Sequence, residues 1–448
     1  MIRSYLPHTE ADRQAMLGVI GVHSAQELFA DIPPNLRLAR SLDLPAAMAE
    51  PELARHLQDM AKSNASLEDY ACFLGAGSYD HYIPSVVDHV IRRSEFYTAY
   101  TQYQPEIAQG YLQALWEYQS MICEITGMEA ANASMYDGGT ALAEAAMAAC
   151  GAVGRNEVIV AGTVHPHYRT LLGTYSIDKG YQIKEAAWAE GVTDLPKLEQ
   201  QVSSATAAVL IQMPNFFGCL EDVKAIADIA HAKGALLVAA VNPISLGVLE
   251  APGLLGADLV AGEGQPLGLS TSFGGPYLGF FAASEKLLRK MPGRIVGQTT
   301  DHEGTRGFVL TLQAREQHIR REKAVSNICS NEALCALTAA VYLSSVGKGG
   351  FRQIAELCLN KAHYAYSRLT ALKGWRTEFF SPFFHEFVLH CDQPVAEINR
   401  ALLAKKIIGG LDLEHYYPEL AGCMLIAVTE KRTRADIDRL AAALEAMV

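Results

Sequence analysis

From Glu157 onward, short apolar runs alternate with helix-patterned stretches, and this alternation limits the possible folds more than any other feature of the chain. The runs are Glu157-Val-Ile-Val-Ala-Gly, Gln182-Ile-Lys-Glu-Ala, Ala207-Ala-Val-Leu-Ile-Gln-Met, Ala235-Leu-Leu-Val-Ala-Ala-Val and Tyr277-Leu-Gly-Phe-Phe-Ala-Ala. Helical stretches such as Asp222 to Lys233 lie between them. Strands that are apolar on both faces need cover on both faces. The pattern therefore predicts an α/β fold whose mostly parallel sheet carries helices on either side, joined by right-handed crossovers. Ligands in such sheets sit at the carboxyl ends of the strands.

A length of 448 residues favours two or three structural units. Residues 1–65 are helix-patterned with proline breaks, as in Ile32-Pro-Pro-Asn, and read as an arm packed on the body. Residues 66–325 form the large α/β part, and residues 326–448 a smaller α+β part. In the latter, helical stretches span Asn331 to Val346 and Gly350 to Leu372, and strands are expected at Phe384 to His390 and Cys423 to Thr429. The last helix opens with Thr433 and Asp436, a capping pair, and places Ile437, Leu440, Ala441 and Leu444 on one face.

With 37 basic against 49 acidic side chains the net charge is -12, which argues against nucleic acid or an anionic membrane as main partner. The nine cysteines are scattered and never spaced as Cys-x-x-Cys, so neither a disulfide framework nor a zinc site is expected. The first residues lack the apolar core of a signal peptide, and no apolar run approaches the roughly 20 residues of a membrane span. A reducing cytoplasm is the expected location.

Several segments carry candidate chemistry. Gly138, Gly139 and Thr140 open the alanine-rich helix Ala141 to Cys150, and their N–H groups and hydroxyl suit a phosphate; an ordinary capped turn has the same sequence. Tyr97, Tyr100 and Tyr103 recur by threes in a polar segment ending at Pro105-Glu106, where phenols can line a ligand at a subunit boundary or simply pack. His165 follows the strand ending at Gly162, placing it at a carboxyl end, where it can stack over a flat cofactor or merely be solvated. Gly293-Arg-Ile-Val-Gly297 and Arg315-Glu-Gln-His-Ile-Arg-Arg321 offer cations to an acidic partner, or form a solvated face. Gly75-Ala-Gly77 lacks the third glycine of a dinucleotide fingerprint, and Gly347-Lys-Gly lacks the Ser or Thr of a Walker A loop.

Taken in order, these segments resemble the P-protein family of the glycine cleavage system, in particular the amino-terminal half that many bacteria make as a separate subunit 1. The resemblance rests on Tyr100-Thr-Gln-Tyr-Gln-Pro-Glu-Ile-Ala-Gln-Gly, Glu124-Ile-Thr-Gly-Met-Glu-Ala-Ala-Asn-Ala-Ser, Met291-Pro-Gly-Arg-Ile-Val-Gly and Arg315-Glu-Gln-His-Ile-Arg-Arg-Glu-Lys-Ala-Val-Ser-Asn-Ile-Cys, and extends from about residue 5 to the end. It implies the aspartate-aminotransferase-like fold, fold type I of the pyridoxal-phosphate-dependent transferases. It also implies glycine as substrate, loss of CO2, and transfer of the aminomethyl group to the lipoyl arm of H-protein, with pyridoxal phosphate as electron sink.

Two departures set this chain apart. The run Asp258-Leu-Val-Ala-Gly-Glu-Gly-Gln-Pro-Leu-Gly has the layout of a cofactor-lysine loop, yet Gln265 or Pro266 stands where the amine belongs. Where the fold usually sets an aspartate against the pyridine nitrogen, the strand Leu236 to Asn242 reads Ala239. The resemblance thus implies a lysine-bearing subunit 2 that holds the cofactor, with this chain as the other wall of a shared site. Tyr97, Tyr100 and Glu106, together with Ser78, Tyr79 and His81 of the Gly75 to Tyr82 loop, are the residues expected to reach that site. Gly138, Gly139, Thr140 and His165 are expected to line this chain's own pocket; no metal is expected. A non-catalytic scaffold, or a self-sufficient lyase or transaminase using Lys286 or Lys290, are the alternatives.

Overall fold

The computed structural model describes residues 7–38, 40–97, 102, 104–324, 326–328 and 331–447. Contacts divide the chain into two compact units, Met1–Asn64 and Ala65–Val448. In the first, α1 (Glu10–Ile20) opens with a capping box: Thr9 Oγ1 accepts from the Asp12 N–H and Asp12 accepts from the Thr9 N–H. Gly21 ends α1 in the left-handed conformation, and 3-10 turns follow at Ala25–Phe29 and, opened by Pro33-Pro34, at Pro34–Leu36 before α2 (Glu50–Ala61). Leu53, Leu57 and Met60 recur on one face of α2, and all are exposed.

The second unit is built on a seven-stranded sheet. In spatial order its strands are β1 (Ala130–Ala131), β7 (Gly279–Ala283), β6 (Leu259–Glu263), β5 (Leu236–Val241), β4 (Thr206–Met213), β2 (Glu157–Ala161) and β3 (Gln182–Ala186). From β6 to β3 every pairing is parallel. The Tyr277 run differs from the parallel expectation: β7 is antiparallel to β6, because residues 264–278 return the chain as a loop without a crossover helix, and β1 pairs antiparallel with β7. Every residue of β2, β6 and β7 is buried, which is why those runs are apolar without alternation.

Helices α3 (Gln109–Thr126), α4 (Gly138–Val153), α5 (Pro166–Ser176) and α6 (Val223–Ala232) flank this sheet. Residues Gly138 through Cys150 of α4 are all buried, and their small side chains let the helix lie close against β6 and β7. A hairpin of β8 (Ile295–Thr300) and β9 (Arg306–Thr311) follows, absent from the sequence expectation. Helix α7 (Ala333–Thr370) is interrupted at Gly347, whose φ of 60 breaks it into the two expected stretches. By length and composition α7 passes as a membrane span, but half of its apolar window is buried inside the chain, as in a core helix.

The chain closes with an antiparallel sheet of β10 (Trp375–Thr377), β11 (Glu386–Cys391), β13 (Cys423–Ala427) and β12 (Leu411–Asp412), in that order, with α8 (Val395–Ala404) and α9 (Arg434–Glu445). Thr433 and Asp436 form the expected capping box, and Ile437, Leu440, Ala441 and Leu444 are buried. Ala71–Cys72 pairs in parallel with Ile407–Ile408, and the Ala427 N–H donates to the Phe73 carbonyl. Both contacts fix the entry to the Gly75 to Tyr82 loop and aim it at the carboxyl ends of the large sheet.

Candidate functional site

A cavity of about 30 Å3 lies at the carboxyl ends of β4, β5 and β6, lined by Gln212, Ala240, Asn242 and Pro266 among others. Beside it opens a mouth of about 340 Å3 bordered by Ser78, Tyr136, Asp137, His165, His167 and Tyr277. Gly77, Tyr168 and Glu263 line both.

The expected phosphate cradle is present as backbone and filled by side chains. Asp137 caps α4, accepting from the Thr140 N–H at 2.8 Å and from the Thr140 hydroxyl at 2.9 Å. Glu263, the last residue of β6, accepts from the Gly138 N–H at 2.9 Å through Oε2, and from Gln265 N–H at 2.9 Å and Leu278 N–H at 3.0 Å through Oε1. Burial pushes its carboxyl up to about 7, opposed by these three N–H donors. A Cβ on Gly138 would come within 2.6 Å of Tyr168 Oη and 2.9 Å of Glu263 Cβ, so only glycine admits both side chains here.

His165 caps α5 and its ring is held on both edges. Nδ1 accepts from the His167 N–H at 3.1 Å, so Nε2 carries the proton and donates to the Ala76 carbonyl at 3.0 Å. Burial lowers its pKa to about 4, which keeps this neutral form. The ring does stack, but on Tyr168, with centroids 4.8 Å apart and planes 23° from parallel. Tyr168 is three residues further along the same helix turn and covers one face of the His165 ring.

Where an amine is expected, Gln265 is fully buried and turned to the neighbouring loop. Its Oε1 accepts from the Tyr79 N–H at 2.9 Å, and its Nε2 donates to the carbonyls of Tyr79 at 3.0 Å and Leu269 at 2.7 Å. Pro266 lines the cavity instead. Ala239 does not: it is fully buried, while Ala240, Val241 and Asn242 after it border the space.

The Gly75 to Tyr82 loop meets the site at Gly77, at Tyr79, which lines the smaller cavity, and at Ser78, whose Oγ lies 2.7 Å from Tyr277 Oη at the mouth. Tyr79 and His81 point inward. Tyr79 donates to Glu386 at 2.7 Å, and Glu386 also accepts from the Ala76 N–H at 2.7 Å. His81 pairs with Glu430 at 2.6 Å; against the opposing effect of burial, this bond holds the Glu430 carboxyl down to about 2. Cys358 donates to the same carboxylate at 3.4 Å, so His81, Cys358 and Glu430 form a buried polar group drawn from three distant segments.

Tyr97 is 70% exposed and Glu106 is exposed, and neither lines the pocket. Tyr100 and Tyr103 lie outside the described residues. The cation loops are divided: Arg294 is buried with Glu316 at 3.7 Å and Arg315 donates to the carbonyls of Met291 and Gly293, while Arg320 and Arg321 are exposed, as on a solvated face. The guanidinium groups of Arg294 and Arg315 brace the β8 entry. Lys286 and Lys290 sit on a 3-10 turn, bonded to Asp258 at 2.8 Å and to the Gly151 carbonyl at 3.1 Å. Glu263, Tyr168 and Glu386 were not anticipated; the signal for Glu263 was a carboxylate closing an otherwise apolar strand.

This chain's own pocket does not fit pyridoxal phosphate. A carboxylate would face the phosphate at the helix start, and among the described residues no lysine amine borders either space.

Residues 3–444 match the family model described as glycine cleavage system P-protein. The chain is 58% identical over 443 residues to the probable glycine dehydrogenase (decarboxylating) subunit 1 of Desulforamulus reducens, covering 99% of each. It is 55% identical over 444 residues to the protein of the same name from Brevibacillus brevis, covering 99% of this chain and 98% of that one. A crystal structure of glycine decarboxylase (P-protein) of the glycine cleavage system, in inhibitor-bound form, superposes with a TM-score of 0.91 at 42% identity over the whole of both chains. A sphingosine-1-phosphate lyase of Burkholderia pseudomallei, at 15% identity and a TM-score of 0.65 over 92% of this chain and 93% of its own, shares the fold. The architecture is thus fold type I of the pyridoxal-phosphate-dependent transferases, and the chain belongs to the glycine cleavage system P-protein family.

Proposed function

We propose that this chain is subunit 1 of a two-chain glycine dehydrogenase (decarboxylating), and that it pairs in the cytoplasm with a similar, lysine-bearing subunit 2 that holds pyridoxal phosphate. The pair decarboxylates glycine and passes the aminomethyl group to the lipoyl arm of H-protein. The relatives' names support the subunit assignment. The observation that carries the division of labour is the pocket, which offers Gln265 and Pro266 where an amine is needed and is filled by Glu263 and Tyr168.

Bound to the partner, the cofactor supplies the electron sink. This chain contributes the opposing wall. Tyr97 and Glu106 stand exposed and available to a partner's site, and Ser78 sits at the mouth beside Tyr277. Tyr79 and His81 hold the loop that presents Ser78, through Glu386 and Glu430, and so act as positioning residues.

The test is reconstitution. Co-expressed with subunit 2, the chain is expected to elute as one species with it and to support glycine-dependent CO2 exchange in the presence of lipoylated H-protein. Full activity of subunit 2 alone refutes a catalytic role and leaves a scaffold. An interface of the obligate class, roughly 2,000 Å2 or more, is expected.

A further inference from the structure

We propose that Glu263 is an internal anion standing where a bound phosphate group stands in a working copy of this fold, and that with Tyr168 it makes the pocket a permanently self-liganded site. The inference rests on the fold assignment and goes beyond the missing lysine. A chain that lost only its amine would keep an open cradle able to take free anions; this one does not.

The geometry has three parts. The Glu263 carboxylate reaches the first N–H of α4, where the helix start carries partial positive charge and bare N–H groups that favour an anion. Its other oxygen takes the N–H groups of Gln265 and Leu278, the two ends of the loop in which an amine would stand, and the Gly264 N–H closes the same loop onto the Leu278 carbonyl at 2.6 Å. One carboxylate therefore staples that loop to the helix. Tyr168 then stacks on His165 and covers one face of its ring.

The interior of the chain is therefore set before any small molecule arrives. Gln265 is clasped to Tyr79, and His165 to Ala76, so the loop bearing Ser78 is held against the filled pocket. The wall shown to the partner is thus independent of cofactor loading. Opened artificially, the pocket should accept a small tetrahedral oxyanion.

The experiment compares the full chain with Glu263→Ala and Glu263→Gln at pH 8. Thermal unfolding is followed across a titration of inorganic phosphate against sodium chloride of equal ionic strength. The wild type is expected to show no phosphate-specific shift. Glu263→Ala should melt lower and then gain a saturable rise of roughly 2 °C or more as phosphate replaces the carboxylate. A phosphate-specific rise in the wild type equal to that of the variant overturns the proposal, as does a folded Glu263→Ala with no response. Should Glu263→Ala fail to fold, Glu263→Gln decides: its amide N–H2 meets the Gly138 N–H, so it should melt below wild type without phosphate rescue, and unchanged melting overturns the proposal. These readouts need neither partner nor turnover. A pair that fails in CO2 exchange while the shifts appear removes the proposed function and leaves this inference standing.

Discussion

Putting the amine back should not restore a cofactor site. In Gln265→Lys the new side chain can still donate to the carbonyls of Tyr79 and Leu269, but it has no acceptor for the Tyr79 N–H, which Gln265 Oε1 now takes at 2.9 Å. Leaving that buried N–H unpaired costs about 1–3 kcal/mol, and the lost bond itself about 1 kcal/mol. Some further cost comes from placing an ammonium in a fully buried position, offset by the carboxylates of Glu263 and Glu386, which bond the Gln265 N–H and the Tyr79 hydroxyl. Together these predict a loss of about 2–4 kcal/mol in urea unfolding. The same protein, incubated with pyridoxal phosphate, reduced with borohydride and digested, should carry no stoichiometric label at position 265, because the side chain there is turned to the Tyr79 and Leu269 carbonyls and Glu263 already holds the helix start. The wild type should label no specific lysine either. Stability equal to wild type, or stoichiometric labelling at 265, would refute the reasoning, the second by showing that only the amine was missing.

Other substitutions test other parts of the structure. In the reconstituted pair, Tyr97→Phe and Tyr100→Phe each remove one hydroxyl and keep the ring, so assembly and melting should hold while glycine-dependent CO2 exchange falls roughly ten- to hundredfold, the equivalent of a hydrogen bond to a charged group of about 1.5–3 kcal/mol; near-normal turnover in both would leave these rings as packing. Glu144 on α4 is buried, and burial pushes its carboxyl from the usual 4.5 up to about 7. The folded state thus holds its proton more tightly than the unfolded one, so this stability is present below pH 4.5 and lost as pH rises through 7. Glu144→Gln should therefore gain about 2–3 kcal/mol over wild type at pH 8 and little at pH 5. Urea unfolding at both pH values checks this, and equal effects at the two would count against a buried, proton-holding carboxyl.

The parts of the fold that were legible in sequence are those whose physics is local. The runs that became β2, β4 and β5 are apolar on both faces because both faces are covered, and Thr433 with Asp436 caps α9 through a contact three residues long. Strand direction is not local. The Tyr277 run reads like its neighbours, yet β7 is antiparallel because of how residues 264–278 turn. The β8–β9 hairpin escaped notice because the second half of β8, Gln298 to Thr300, is exposed and carries no apolar signal. At the site, the absence of lysine was plain, and His165 borders the mouth, whereas Gly138, Gly139 and Thr140 line neither space. What fills the site was hidden, since Glu263 reads as an ordinary polar strand end and Tyr168 as one more aromatic beside two histidines.

That filling is explained by the physics of losing a ligand. A site shaped around a bound phosphate and ring leaves two defects when the group goes: unpaired N–H groups at the helix start and an internal void. Each buried N–H left alone costs about 1–3 kcal/mol, and void costs on the order of 2 kcal/mol per 100 Å3. Against a net stability of roughly 5–15 kcal/mol, neither is tolerable for long. Water could answer the first but would leave the apolar face of His165 wet. Glu263 answers the Gly138 N–H at the helix start together with two N–H groups of the following loop, and Tyr168 fills space beside it, within hydrogen-bonding and stacking distance of the same few residues. The two changes are therefore expected to be coupled. Replacing either alone should destabilise the chain, and the double variant Glu263→Ala with Tyr168→Ala should deviate from the sum of the single effects by about 0.5 kcal/mol or more, since both side chains crowd the same point over Gly138. Strict additivity in urea unfolding would mean that each residue packs for its own reasons, and that the pocket is not a single self-liganded unit.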